Sequence, residues 1–144
     1  MKDTVTVDID APQAKVAALF ADPANNPKWM EGLERYQPIS GEAGAPGSIY
    51  RLVQQGGKLE FLATVVSRDL PDEARLTLDA DGVAVSIQVQ FLGRANATRL
   101  VSTETFRFKG LFGPVIGLLS RRAIRRTHCA QLLAFKHFVE TTPA

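Results

Sequence analysis

FGPVIGLLSRRAIRRTHCAQLLAFKHFVE, residues 112–140, reads as one long helix. Pro114 suits its first turn and Pro143 lies beyond its end. Placed at 100° per residue, Ile116, Ser120, Ala123, Ile124, Thr127, Ala130, Gln131, Ala134 and Phe138 gather on one face. Arg121, Arg122, Arg125, Arg126 and Lys136 gather roughly opposite. A long helix with one apolar, small-residue face needs a partner to cover that face. The residues before it are a run of strands.

TRLVSTETFRF, just upstream, alternates with period two. Before it lie VAVSIQVQFL, ARLTLDA, KLEFLATVVSR and GSIYRLVQ, separated by turn-forming stretches such as GRANA, DADG, LPDEA and QQGG. The short links imply antiparallel hairpins. YQPIS is a further strand, demoted to an edge by Pro38. At the start of the chain TVTVDID alternates, with Val5, Val7 and Ile9 on one side. APQAKVAALFAD then gives a short amphipathic helix, stopped by Pro23. A second short helix can begin near Asn26 with Pro27 at its first position. The expected class is therefore α+β. Two short helices follow the first strand, and a curved antiparallel sheet of about six or seven strands wraps the C-terminal helix.

Composition bounds the function. The 144 residues favour one domain spanning 1–144. A net charge of +2 gives no bulk attraction to nucleic acid, and none is expected as a partner. A single cysteine, Cys129, rules out an intrachain disulfide and fits a reducing compartment. The N-terminus is acidic and lacks an apolar leader, and the apolar run GLFGPVIGLL is about half a membrane span. A cytoplasmic protein is the expectation. His128 and His137 fall on different helix faces without a ligand cluster, so no metal is expected. GxGxxG, Walker and GxSxG motifs are absent, and no cofactor is expected.

The order of elements resembles the helix-grip fold of the START-like (SRPBCC) superfamily. It is most similar to the polyketide cyclase/dehydrase and lipid-transport branch, whose fold is shared with the major birch-pollen allergen. The signals are IDAPQAKVAALFADPANNPKWMEGL, GSIY after a glycine-rich turn, ATRLVSTETFRF, and a last helix ending QLLAFKHFVE. The resemblance covers nearly the whole chain. It implies an apolar cavity between sheet and helix, with the short helices plugging one end. Trp29, the only tryptophan, would sit in that plug, packed beneath it or facing the cavity.

The helix face supports a cavity in its own right. Ala123, Ala130 and Ala134 leave space, and Ser120, Thr127 and Gln131 put polar groups beside it. The alternative is that Phe61, Phe91 and Phe106 fill that space. Glu104 is the sharpest oddity. By strand parity it travels with Leu100, Ser102, Phe106 and Phe108. If that set faces inward, a carboxylate enters an apolar space, and its raised pKa suits acid–base chemistry. If Val101, Thr103 and Thr105 face inward, Glu104 is a solvated charge.

The leading function is binding of a largely apolar small molecule, such as a lipid, isoprenoid or aromatic polyketide. Trp29, Tyr50, Phe61, Phe91, Ser102, Phe106, Ser120, Ala123, Thr127 and Gln131 are the expected contacts. The rival is a cyclase- or dehydratase-type enzyme with Glu104 as its acid or base, and Tyr50 a distant second. A third reading is an interaction module using the arginine face. A weak contact between that face, the neighbouring apolar tip and a membrane surface is a lesser alternative.

Overall fold

The computed structural model describes residues 1–57 and 59–143. Seven strands form one antiparallel sheet: β1 (Lys2–Ile9), β2 (Leu33–Ser40), β3 (Ile49–Gln54), β4 (Leu59–Asp69), β5 (Glu73–Ala80), β6 (Val83–Arg94) and β7 (Ala97–Phe108). Their order across the sheet is β1-β7-β6-β5-β4-β3-β2. The hairpins from β2 to β7 are thus sequential, and β1 closes onto the last strand. Between β1 and β2 come α1 (Gln13–Ala21), a single 3-10 turn (Pro23–Asn25) and α2 (Asn26–Trp29). This segment carries the chain from one edge of the sheet to the other. The helix α3 (Gly113–Thr141) has 29 residues, a length of about 43 Å, and packs against β1 and β7. This is the helix-grip architecture that the sequence implies.

Local chemistry explains the edges. Pro38 sits in β2, at one edge of the sheet, beside a register shift between Pro38 and Ser40. A proline cannot donate to a central ladder, so an edge is where it is tolerated. Asp22 starts the 3-10 turn by accepting a hydrogen bond from the Ala24 amide at 3.0 Å.

Two apolar clusters hold the grip together. The larger joins Val5, Ile9, Val16, Phe91, Leu100, Leu132, Phe135 and Val139. The smaller joins Leu33, Tyr50, Leu52, Ala63 and Val65 at the other end of the sheet. The C-terminal half of α3 is therefore anchored in a packed core. Its N-terminal half rests on Phe108 of β7, where Gly113 and Gly117 permit close approach. A Cβ at Gly113 would lie 2.2 Å from the Phe108 carbonyl oxygen.

The expected face of α3 borders the cavity, but the most deeply buried face lies to one side of it. The buried positions are Gly113, Gly117, His128, Leu132, Phe135 and Val139. Ile116, Ala123, Thr127 and Ala130 are exposed. On a helical wheel this is a rotation of about 90°. The reason is that two glycines define the closest approach, and a histidine occupies a position that an apolar criterion rejects. The arginine stripe is also less uniform than expected. The Arg125 guanidinium donates to Asp3 Oδ1 at 3.2 Å and to the Thr4 carbonyl. Lys136 donates to the Asp8 carbonyl at 2.6 Å and to Glu140 at 2.8 Å. Both cations clamp α3 to β1. Cys129 is partly buried against the larger cluster.

Candidate functional site

A cavity of about 440 Å³ lies between the two clusters, under α3. Its walls are mainly apolar. Leu52, Phe61, Leu76, Leu78, Val85, Ile87 and Phe106 come from the sheet, and Ile124 and Leu132 from the helix. Alternation along each strand puts these side chains on one face. The mouth lies beside Ala123 and Thr127, which line the cavity and are exposed.

One wall is polar and ordered. In the β1–β7 ladder Asp3 stands directly opposite Glu104, and Val5 opposite Ser102. All four share the inward parity of their strands. Two carboxylates face each other across a ladder, an arrangement that costs free energy unless a proton or cation intervenes. His128 reaches between them from α3. Its Nδ1 lies 2.8 Å from Asp3 Oδ2 and 3.1 Å from Glu104 Oε1, and its ring is almost fully buried.

Each member of this cluster titrates differently. Burial pulls the Asp3 carboxyl upward, but hydrogen bonds from His128 and Arg125 outweigh it and hold it below the usual carboxylate range. Burial, aided by the Asp3 charge, pushes Glu104 up to about 7. Burial also lowers His128 despite the neighbouring Asp3, so the neutral imidazole is favoured. An ionised Asp3 only accepts, so Nδ1–H must donate to it. Nε2 is then the acceptor, and the Ser102 hydroxyl donates to it at 2.9 Å. The result is a hydrogen-bonded chain from Arg125 through Asp3 and His128 to Ser102, with a protonatable Glu104 at its side. Such a wall can orient a ligand oxygen, and Glu104 can give or take a proton near neutral pH.

The aromatic end is formed by the segment after α1. Trp29 packs against Phe20 at 6.2 Å and Phe135 at 5.1 Å between ring centroids, and also lines the cavity. The packing role and the cavity-facing role coincide in this one residue. Its Nε1 is buried without a hydrogen-bond partner. Tyr50 is buried, and desolvation raises its hydroxyl to about 12 despite the opposing influence of Asn26. At neutral pH it is a protonated phenol, not a base.

Trp29, Tyr50, Phe61, Ser102, Glu104 and Phe106 all line the cavity, as do Ser120, Ala123, Thr127 and Gln131 on α3. Phe91 does not. It lies in the larger cluster, edge-on to Phe20 at 5.7 Å, because it sits too far along β6 toward α1 to reach the open space. Sequence reasoning missed Asp3, His128 and Asn26. Asp3 carried a usable signal, since it has the parity of Val5, Val7 and Ile9. His128 carried another: it is spaced by four from both Ile124 and Leu132. Among the described residues no cluster of His, Cys, Asp and Glu could hold a metal ion. No helix among them is long and apolar enough to cross a membrane.

A grip of sheet around helix, enclosing an apolar cavity with one polar wall, defines the START-like class of fold. Residues 2–140 match the family described as polyketide cyclase / dehydrase and lipid transport, and the chain belongs to it. Among solved structures, the Zhui aromatase/cyclase from Streptomyces sp. R1128 superposes with a TM-score of 0.82 at 16% identity, covering 97% of this chain and 93% of that one. A START superfamily protein from Mycobacterium smegmatis gives 0.76 at 17% identity, with 96% and 97% covered. Truncated norcoclaurine synthase from Thalictrum flavum gives 0.77 at 14% identity, with 99% and 95% covered. At these identities the likeness is one of fold. No curated protein sequence matches the chain.

Proposed function

We propose that the protein binds a largely apolar small molecule between the sheet and α3, with residues 1–144 acting as one cytoplasmic ligand-binding domain. The observation that carries this reading is the cavity of about 440 Å³, apolar on most sides and polar on one. That volume suits a small organic ligand. Burial of apolar area, at roughly 25 cal/mol per Å², supplies the affinity. Ser102, Glu104 and Gln131 give the ligand one preferred orientation, and Trp29, Phe61 and Phe106 contact its apolar body. A lipid, an isoprenoid or an aromatic polyketide satisfies these demands.

A second reading has one specific observation in its favour. Glu104, raised to about 7, is poised as a general acid or base in a water-poor cavity. This suits a cyclase- or dehydratase-type reaction on the bound molecule.

Native mass spectrometry of the protein purified without added ligand tests the first reading. A co-purifying apolar molecule at near-equal stoichiometry supports it. A ligand-free protein that also takes up no apolar fluorescent probe overturns it. With the ligand in hand, Glu104→Gln separates the readings: binding retained with turnover lost supports catalysis.

A further inference from the structure

We propose that the exposed ridge at the start of α3 docks the protein on the surface of an anionic lipid bilayer. Leu111, Phe112, Val115, Ile116, Leu118 and Leu119 are all exposed there, Leu111 by 89% and Leu119 by 80%. A run of large apolar side chains this exposed marks an interaction site. The ridge is fixed in place, because Gly113 and Gly117 seat the other side of the same turns on Phe108. It is therefore a rigid outward-facing feature.

Two observations select the occupant. The first is charge. From Thr105 to Val139 the sequence has no Asp or Glu, while it holds Arg107, Lys109, Arg121, Arg122, Arg125, Arg126 and Lys136. On the wheel Arg122 and Arg126 continue the bearing of Val115 and Leu119, one and two turns further on, and both are exposed. This is the pattern of an interfacial helix, with apolar residues entering the acyl boundary and cations meeting anionic headgroups. A symmetric pairing of two copies through the ridge would set these arginines against each other. The second observation is shape. Val115, Ile116, Leu118 and Leu119 spread over about 160° of the helix surface. A convex arc of that width suits a fluid medium better than a protein groove that grips one helix stripe. The ridge also adjoins the cavity mouth, since Ser120, Ala123 and Ile124 on the next turns line the cavity.

Co-sedimentation with vesicles tests this directly. The full chain is mixed with vesicles of phosphatidylcholine containing about 30 mol% phosphatidylglycerol, and with vesicles of phosphatidylcholine alone. Pelleting with the anionic vesicles that weakens with salt is expected. Replacing Arg122 and Arg126 by Gln should weaken it by about five-fold per charge and flatten the salt dependence. Leu118→Ser with Leu119→Ser should reduce it to the level of the uncharged vesicles. Thermal melts should be unchanged in both variants, because these side chains are exposed. Equal pelleting with both vesicle types, or full pelleting by either double variant, overturns the proposal. So does binding that survives Leu118→Ser/Leu119→Ser but disappears with salt, which marks an arginine-only contact with any polyanion. A dimer in sedimentation equilibrium that Leu118→Ser/Leu119→Ser dissolves, without vesicle binding, assigns the ridge to a second copy. None of these outcomes depends on the cavity being occupied.

Discussion

Glu104 is held in the fold at a cost that depends on pH. Its folded pKa, about 7, lies above the ordinary carboxylate value of 4.5. Between those values the native state binds the proton more tightly, so this contribution to stability is present at low pH and lost as pH rises toward 7. His128 acts in the opposite sense. Its lowered pKa makes its contribution vanish as pH falls below 6.5. Glu104→Gln removes only the first of these. The variant should therefore gain melting temperature over the parent at pH 8 and gain little at pH 5, as read by paired thermal melts. A second prediction concerns Asp3. Asp3→Asn removes the charge facing Glu104, so the Glu104 midpoint should fall, staying above 4.5 because burial remains. Carbon-13 NMR of the Glu104 carboxyl checks this, and an unmoved midpoint would show that burial alone sets it. These residues also mark where sequence reading stops. Strand parity put Glu104 with Leu100 and Ser102, and the structure places that set inward. It could not decide the register, because on its outer side β7 pairs with β1, roughly a hundred residues away in sequence.

The elements were more legible than their faces. Period-two runs and turn residues marked the strands, and Pro38 marked the edge. The long helix was plain from Pro114 and its length. Its rotation was not, because small and polar residues do not declare which side is packed. Gly113 and Gly117 make this concrete. At Gly113 an added methyl meets backbone at 2.2 Å, whereas at Gly117 it meets the edge of the Phe108 ring at 3.1 Å. Gly113→Ala should therefore destabilise the fold by about 3 kcal/mol, by displacing the first turn of α3. Gly117→Ala should be within about 1 kcal/mol of neutral, since a helix-propensity gain offsets a small ring shift. Chemical denaturation of the two variants measures both. Equal losses would mean that Phe108 is held as rigidly as the backbone.

At the scale of the molecule, the cavity is a volume the core leaves open. Ile87 lines it and lies opposite Glu104 on the neighbouring strand. Ile87→Trp should place its ring in open space, keep stability within about 1.5 kcal/mol, and lower uptake of an apolar probe by roughly tenfold or more. Probe titration with a parallel melt separates this outcome from simple misfolding. The volume itself was only half legible in the sequence. Ala123 and the polar helix residues hinted at space, yet Phe91 was counted toward it and belongs to the packed core.

The pairing of β1 with β7 has a bearing on the order of events during synthesis. Lys2 meets Thr105 and Ile9 meets Thr98, so the first strand emerges from the ribosome roughly a hundred residues before its ladder partner exists. At on the order of 5–20 residues per second, it waits for seconds in an unpaired state. Asp3 then meets Glu104, and His128 can join only after most of α3 has been made. The polar wall of the cavity is thus among the last features to form, and its assembly coincides with completion of the sheet. Contacts this distant along the chain slow the search for the native topology. A nascent chain stalled before residue 98 should hold the β2–β6 hairpins without the ligand site.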